Sequence, residues 1–161
     1  MTSKFFVLAI LAVALLGFTS GAAAQQMPNP YGAPISLEVA KKAAAAAAAE
    51  AQKNNWHMAI AITDPAGQLV YFEKLDGTQT ASVKIAIAKS RSAAIYKRPT
   101  KVFQDAVAKG NAAILALKGA MPSEGGVPIV IDGKIVGAIG ASGGTSQQDG
   151  VAAMAGANAV K

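Results

Sequence analysis

The chain holds one histidine, His57, and no cysteine. His57 is therefore the one side chain that can give a haem iron or a corrinoid cobalt a strong neutral nitrogen ligand. It stands between Trp56 and Met58 at the start of an apolar run, where a partly buried structural imidazole is the somewhat better reading. Met58, Met121 and Met154 are soft axial candidates, although methionine more often fills cores. A zinc site has no support, because no Asp or Glu stands at helical spacing from His57 and there is no thiolate. The absence of cysteine also removes disulfides and thiol nucleophiles.

A second candidate is the glycine-rich stretch Gly140-Ala141-Ser142-Gly143-Gly144. It fits the G-x-S-x-G pattern that presents a nucleophilic serine between a strand and a helix. Such a serine needs a histidine downstream, and His57 lies far upstream, so a glycine-rich turn is the better reading and no catalytic residue is assigned. The same loop has another use. Thr145-x-x-Gln148 has the spacing of a capping box, and amides at a helix N-terminus suit a carboxylate or phosphate. Ser142, Gly143, Gly144 and Thr145 are thus a candidate anion-binding loop, set against simple capping. No Walker lysine and no full dinucleotide fingerprint accompany it.

Lys84, Lys89, Arg91, Lys97 and Arg98 form the third group. Lys84 and Arg91 are seven residues apart and share one helix face, while Lys89 lies on another. Such cations can meet haem propionates or a small organic acid, or simply form a solvated face.

These residues need a scaffold. Lys4, the apolar run from Phe5 to Leu16 and Ala22-Ala23-Ala24 read as a signal peptide over residues 1–24. The run is short for a membrane span, so cleavage is the better reading and an uncleaved anchor the second; no stable membrane anchor is expected after cleavage, and a periplasmic or secreted location is. Residues 25–35, with Pro28, Pro30 and Pro34, form an extended leader. A single domain then covers residues 36–161. Ser36 caps a helix from Leu37 to Lys53, with alanine unbroken from Ala43 to Ala49. A hairpin follows, from Trp56 to Thr63 and Gln68 to Lys74, turning at Asp64-Pro65-Ala66-Gly67. A helix from Thr80 or Ser82 to about Tyr96 is stopped by Pro99, and another is expected from Lys101 to Leu117, weak at Gly110-Asn111. The second hairpin turns at Asp132-Gly133, and a helix from about Gln147 to Ala159 closes the chain. The order is α-ββ-α-α-ββ-α, an α+β class in which tight hairpins demand antiparallel pairing.

Composition bounds the rest. The 161 residues carry 52% hydrophobic but only 6% aromatic side chains, so the core is built from small and branched aliphatics. Lys+Arg is 15 against Asp+Glu 9, without a basic run. That argues against nucleic-acid binding and for a mild attraction to acidic small molecules.

Several stretches together resemble the GlcG/HbpS-like family, which includes the C-terminal domain of some cobalamin adenosyltransferases. They are Ala59 to Gly67, Lys74-Leu75-Asp76-Gly77, Lys89-Ser90-Arg91-Ser92-Ala93, Gly125-Gly126-Val127-Pro128-Ile129, Gly137 to Gly143 and Gln148-Asp149. The resemblance implies a profilin-like antiparallel sheet of about five strands flanked by helices, and assembly into homo-oligomers. It also implies that some members bind haem or a related tetrapyrrole as cofactor while others sit beside glycolate or diol metabolism, and it associates exported members with haem sensing or oxidant protection. His57 would be the metal ligand, with Ser92, Arg91 and Lys89 binding the cofactor. Two positions depart from the family pattern. A threonine that contacts ligand is Ser92 here, and an arginine is Lys74, which cannot clamp a carboxylate bidentately. Three readings follow: a non-enzymatic tetrapyrrole binder, a binder or enzyme of a small hydroxy acid, and an oligomeric scaffold.

Overall fold

The computed structural model describes residues 28–161; the expected signal segment lies outside them. Helix α1 spans Leu37–Lys53. Ser36 caps it, its Oγ accepting from the Val39 amide at 3.3 Å. Its buried positions, Ala40, Ala43, Ala44, Ala47, Ala48 and Ala51, follow the i, i+3, i+4, i+7 rule, so one face is a flat strip of methyl groups. Strands β1 (Ala59–Thr63) and β2 (Leu69–Lys74) form the first hairpin, and β3 (Gly126–Ile131) and β4 (Lys134–Ser142) the second. Asp132 and Gly133 both have positive φ, 48° and 71°, as a two-residue hairpin turn requires. Between the hairpins lie α2 (Ala81–Tyr96) and α3 (Lys101–Ala108), and α4 (Ser146–Asn158) ends the domain.

The sheet order is β2-β1-β4-β3, antiparallel throughout. It has four strands where about five were expected. The leader takes the place of the missing one. Ile135 donates to the Pro30 carbonyl at 2.8 Å, and Gly32 and Ile35 donate to Ile135 and Val136 at 2.9 and 2.8 Å. Only Tyr31 reaches a bridge, with Ile135, because Pro28, Pro30 and Pro34 lack the N–H groups a ladder needs.

The expected helix from Lys101 to Leu117 is also broken. Gly110, at φ 88°, lets the Asn111 amide reach back to the Ala106 carbonyl and ends α3; a separate 3-10 turn runs Ala112–Ala116. The wrap around a left-handed glycine is a common helix stop.

The two faces of the sheet differ in side-chain size. Met58, Ile60, Ile62, Ile129 and Ile139 are fully buried in one cluster with the alanines of α1 and α4. Each such Ile contributes about 1.5–3 kcal/mol by leaving water. The opposite face presents Ala59, Ala61, Ala138 and Gly140 to α2. A Cβ on Gly140 would strike the Ala86 carbonyl and lie 2.5 Å from the Ser90 amide nitrogen. Helix backbone therefore rests on strand backbone, and the polar side chains of α2 must be satisfied in the interface. Thr63 donates to Ser90, which donates to the Ala138 carbonyl, each at 2.9 Å, and Ser142 donates to Ser82 at 3.3 Å. Among the described residues no helix is long and apolar enough to cross a membrane.

Candidate functional site

The C-terminus of α1 brings His57 into place. Asn55 has left-handed φ of 56°, Asn55 donates to Gln52 and Trp56 donates back to Ala51 at 2.9 Å. This cap turns the chain so that Trp56 and His57 lead into β1. On the neighbouring strand, Leu75 donates to the Met58 carbonyl and Thr78 Oγ1 donates to Leu75, which holds the Asp76-Gly77 turn beside His57. His57 Nδ1 lies 2.7 Å from the Asp76 carbonyl oxygen. A carbonyl only accepts, so Nδ1 carries the proton and a neutral ring has its lone pair on Nε2. Gly77 makes this possible: a Cβ there would lie 3.0 Å from Nδ1. The exposed ring lines an open cleft of about 390 Å³ together with Gln52, Trp56, Lys74 and Leu75.

The glycine-rich loop lies against His57 from the other side. Ser142 pairs with Ala59, and a Cβ on Gly143 would run into the His57 carbonyl. The loop was a candidate anion site, and the chain fills it with its own anion. Asp149, one turn into α4, accepts from the Gly144 amide at 3.0 Å through Oδ1 and from Lys89 Nζ at 2.7 Å through Oδ2. Thr145 and Gln148 complete their capping box, with the Thr145 amide on Gln148 Oε1. Burial pushes the Asp149 carboxyl above the ordinary carboxylate range, against the opposing pull of Lys89 and of the Gly144 and Gly143 amides. Ser142 is buried with its hydroxyl on Ser82, and no serine–histidine hydrogen bond exists among the described residues. The geometry contains no nucleophile elbow.

The expected cofactor residues therefore separate. Lys89 is 1% exposed and ion-paired, so it presents no charge to a ligand. Ser92 is buried and accepts from the Met121 amide at 3.0 Å. Arg91 is exposed on the outer side of α2, beside the Asp64–Gln68 turn. His57 sits at the opposite end of the hairpin, about 20 Å away along β1 at the usual rise per residue. Asp149 and the Asp76 carbonyl are the groups sequence reasoning missed. Gln148-Asp149 was visible as a motif, without a hint of its cationic partner 60 residues away. No group of three or more metal-ligating side chains occurs among the described residues.

A four-stranded antiparallel sheet between α2 and an α1–α4 pair, with its glycine loop locked by a buried ion pair, defines an α+β sandwich. Its relatives are specific. The family model described as "Haem degrading protein HbpS-like" matches residues 35–158. Protein GlcG of Escherichia coli K12 is 39% identical over 108 residues, 67% of this chain and 81% of that protein. The crystal structure of a double mutant of HbpS from Streptomyces reticuli superposes with a TM-score of 0.74 at 28% identity, covering 86% of this chain and 95% of that one. ORFY of Klebsiella pneumoniae gives a TM-score of 0.75 at 25% identity, covering 83% and 95%. The chain belongs to the GlcG/HbpS-like family.

Proposed function

We propose that this protein is an exported, non-enzymatic binder of haem or a related tetrapyrrole, held through His57. The observation that carries the reading is the hydrogen bond from Nδ1 to the Asp76 carbonyl. A backbone acceptor of this kind fixes the tautomer and orients the ring of a metal-binding histidine. Within the cleft Trp56 and Leu75 offer apolar surface for a flat macrocycle and Lys74 a point charge for a propionate, beside the polar Gln52, Asn55 and Asp76. The family description, with its reference to haem, supports the same class of ligand.

Titration of the apo-protein with hemin, with albumin as competitor, tests the reading. A shifted Soret band is expected, and His57→Ala should move the band and weaken binding about tenfold or more. A difference spectrum identical to free hemin throughout would end the tetrapyrrole reading, and an unchanged His57→Ala titration would end the assignment to this cleft. Bleaching of the band on addition of a reductant and oxygen would replace the binder by a haem-degrading enzyme.

A further inference from the structure

The middle of α2 carries a second cleft, of about 550 Å³, that the histidine site does not use. Ala88, Arg91 and Ile95 stand at i, i+3 and i+7 on α2 and so form one stripe. Lys118 and Gly119, in the loop after the 3-10 turn, form the facing wall. That wall is tied to the helix on both sides of the cleft. Tyr96 Oη donates to the Lys118 carbonyl at 2.8 Å, and the Met121 amide donates to Ser92 Oγ at 3.0 Å. The Arg91 stem lies over the β1–β2 turn, where a Cβ on Gly67 would come within 2.8 Å of Arg91 Cγ.

The charges of this cleft are of one sign. Neither Arg91 nor Lys118 takes part in an ion pair among the described residues, and no acid lines the cleft. The acid of the adjoining turn, Asp64, accepts from its own Ala66 and Gln68 amides at 2.9 Å each. Nearby cations are otherwise engaged: Lys97 lies over the Tyr31 ring and Arg98 faces Phe103. The aliphatic part of the lining comes from Ala88 and Ile95. A planar fork beside a point charge suits an anionic headgroup, and the aliphatic part suits an apolar body attached to it.

We infer that this cleft binds a small carboxylate carrying an aliphatic body, with Arg91 and Lys118 on the carboxylate and Ala88 and Ile95 under the chain. The site is independent of the haem cleft, at the other end of the β1–β2 hairpin. Hexanoate is the probe, titrated into the 15N-labelled chain and followed by amide shifts. Shifts are expected to concentrate at Ile95, Lys118 and Gly119. Hexanamide should bind about tenfold more weakly or worse, as expected for loss of a charge-assisted contact. Arg91→Gln and Lys118→Gln, both at exposed positions, should each weaken hexanoate by a similar factor, whereas His57→Ala should leave it unchanged. Equal binding of hexanoate and hexanamide, equal binding of inorganic phosphate, or undiminished binding in both variants would each overturn the inference. Loss of hexanoate binding in His57→Ala would do so too, by showing one shared site.

Discussion

Replacing Lys89 by Met keeps the volume of the side chain and removes its charge. In the wild type Nζ is 2.7 Å from Asp149 Oδ2, and the two side chains are 1% and 4% exposed. The variant leaves a carboxylate in the interior with amide donors and no counter-ion. Breaking a buried pair from one side costs about 3–5 kcal/mol. For a domain of this size that lowers Tm by roughly 10–20 °C. Asp149→Asn should cost a similar amount, because with its oxygen on the Gly144 amide its NH2 faces the buried Lys89 ammonium, which loses its counter-ion. The double variant should recover part of the loss, with a coupling of about 1–3 kcal/mol between the two sites. The pH dependence has a definite sign. Without Lys89 the Asp149 carboxyl of the folded state titrates higher still than its unfolded value, so its penalty is full above that raised value and shrinks as pH falls through it. Lys89→Met should therefore lie closer to wild type at pH 5 than at pH 8. Thermal melts by circular dichroism at both values decide the matter. A loss of Tm below about 3 °C at pH 8, or a gap that widens on acidification, would refute the claim that the loop holds its own anion.

Gly140→Ala should destabilise by about 1–3 kcal/mol or more, since its methyl meets helix backbone that cannot rotate away, and an unchanged urea midpoint would show that α2 stands further from the sheet. Intact-mass analysis of protein from the native host should show a chain beginning near Gln25, and recovery of full-length chain from the membrane fraction would contradict cleavage there. Light scattering should give a mass above the monomer, with Val102, Leu115 and Leu117, 45%, 65% and 42% exposed, as apolar surface open to a neighbour; a monomer at micromolar concentration would exclude assembly through them.

Much of the scaffold was legible because it is encoded locally. The cap at Ser36, the alanine face of α1, the Asp132-Gly133 turn and the Thr145–Gln148 box each depend on residues within a few positions of one another. The leader was legible as extended, but its prolines weigh against a fifth strand more strongly than the family pattern suggested. The site was harder. Lys89 in isolation is indistinguishable from the solvated Lys84 five residues earlier on the same helix, and only its ion pair with Asp149, 60 residues on, shows it to be interior. The partner that orients His57 is a main-chain oxygen, which any residue type at position 76 supplies, so composition and spacing carry no trace of it.

The contact of α2 backbone with strand backbone at Gly140 has a consequence for how the molecule handles a ligand. An interior closed to this degree has no volume to lend, so both clefts lie at the surface, at the ends of a hairpin whose shape is set without them. Folding and loading are then separate equilibria. On the proposed reading a ligand would add stability only by mass action, about 2.7 kcal/mol at a hundredfold excess over its Kd, and its removal would leave the architecture standing. On the proposed reading, protein stripped of hemin by a competitor should keep its fold and take hemin up again, as expected of an exchangeable ligand rather than of a permanent prosthetic group.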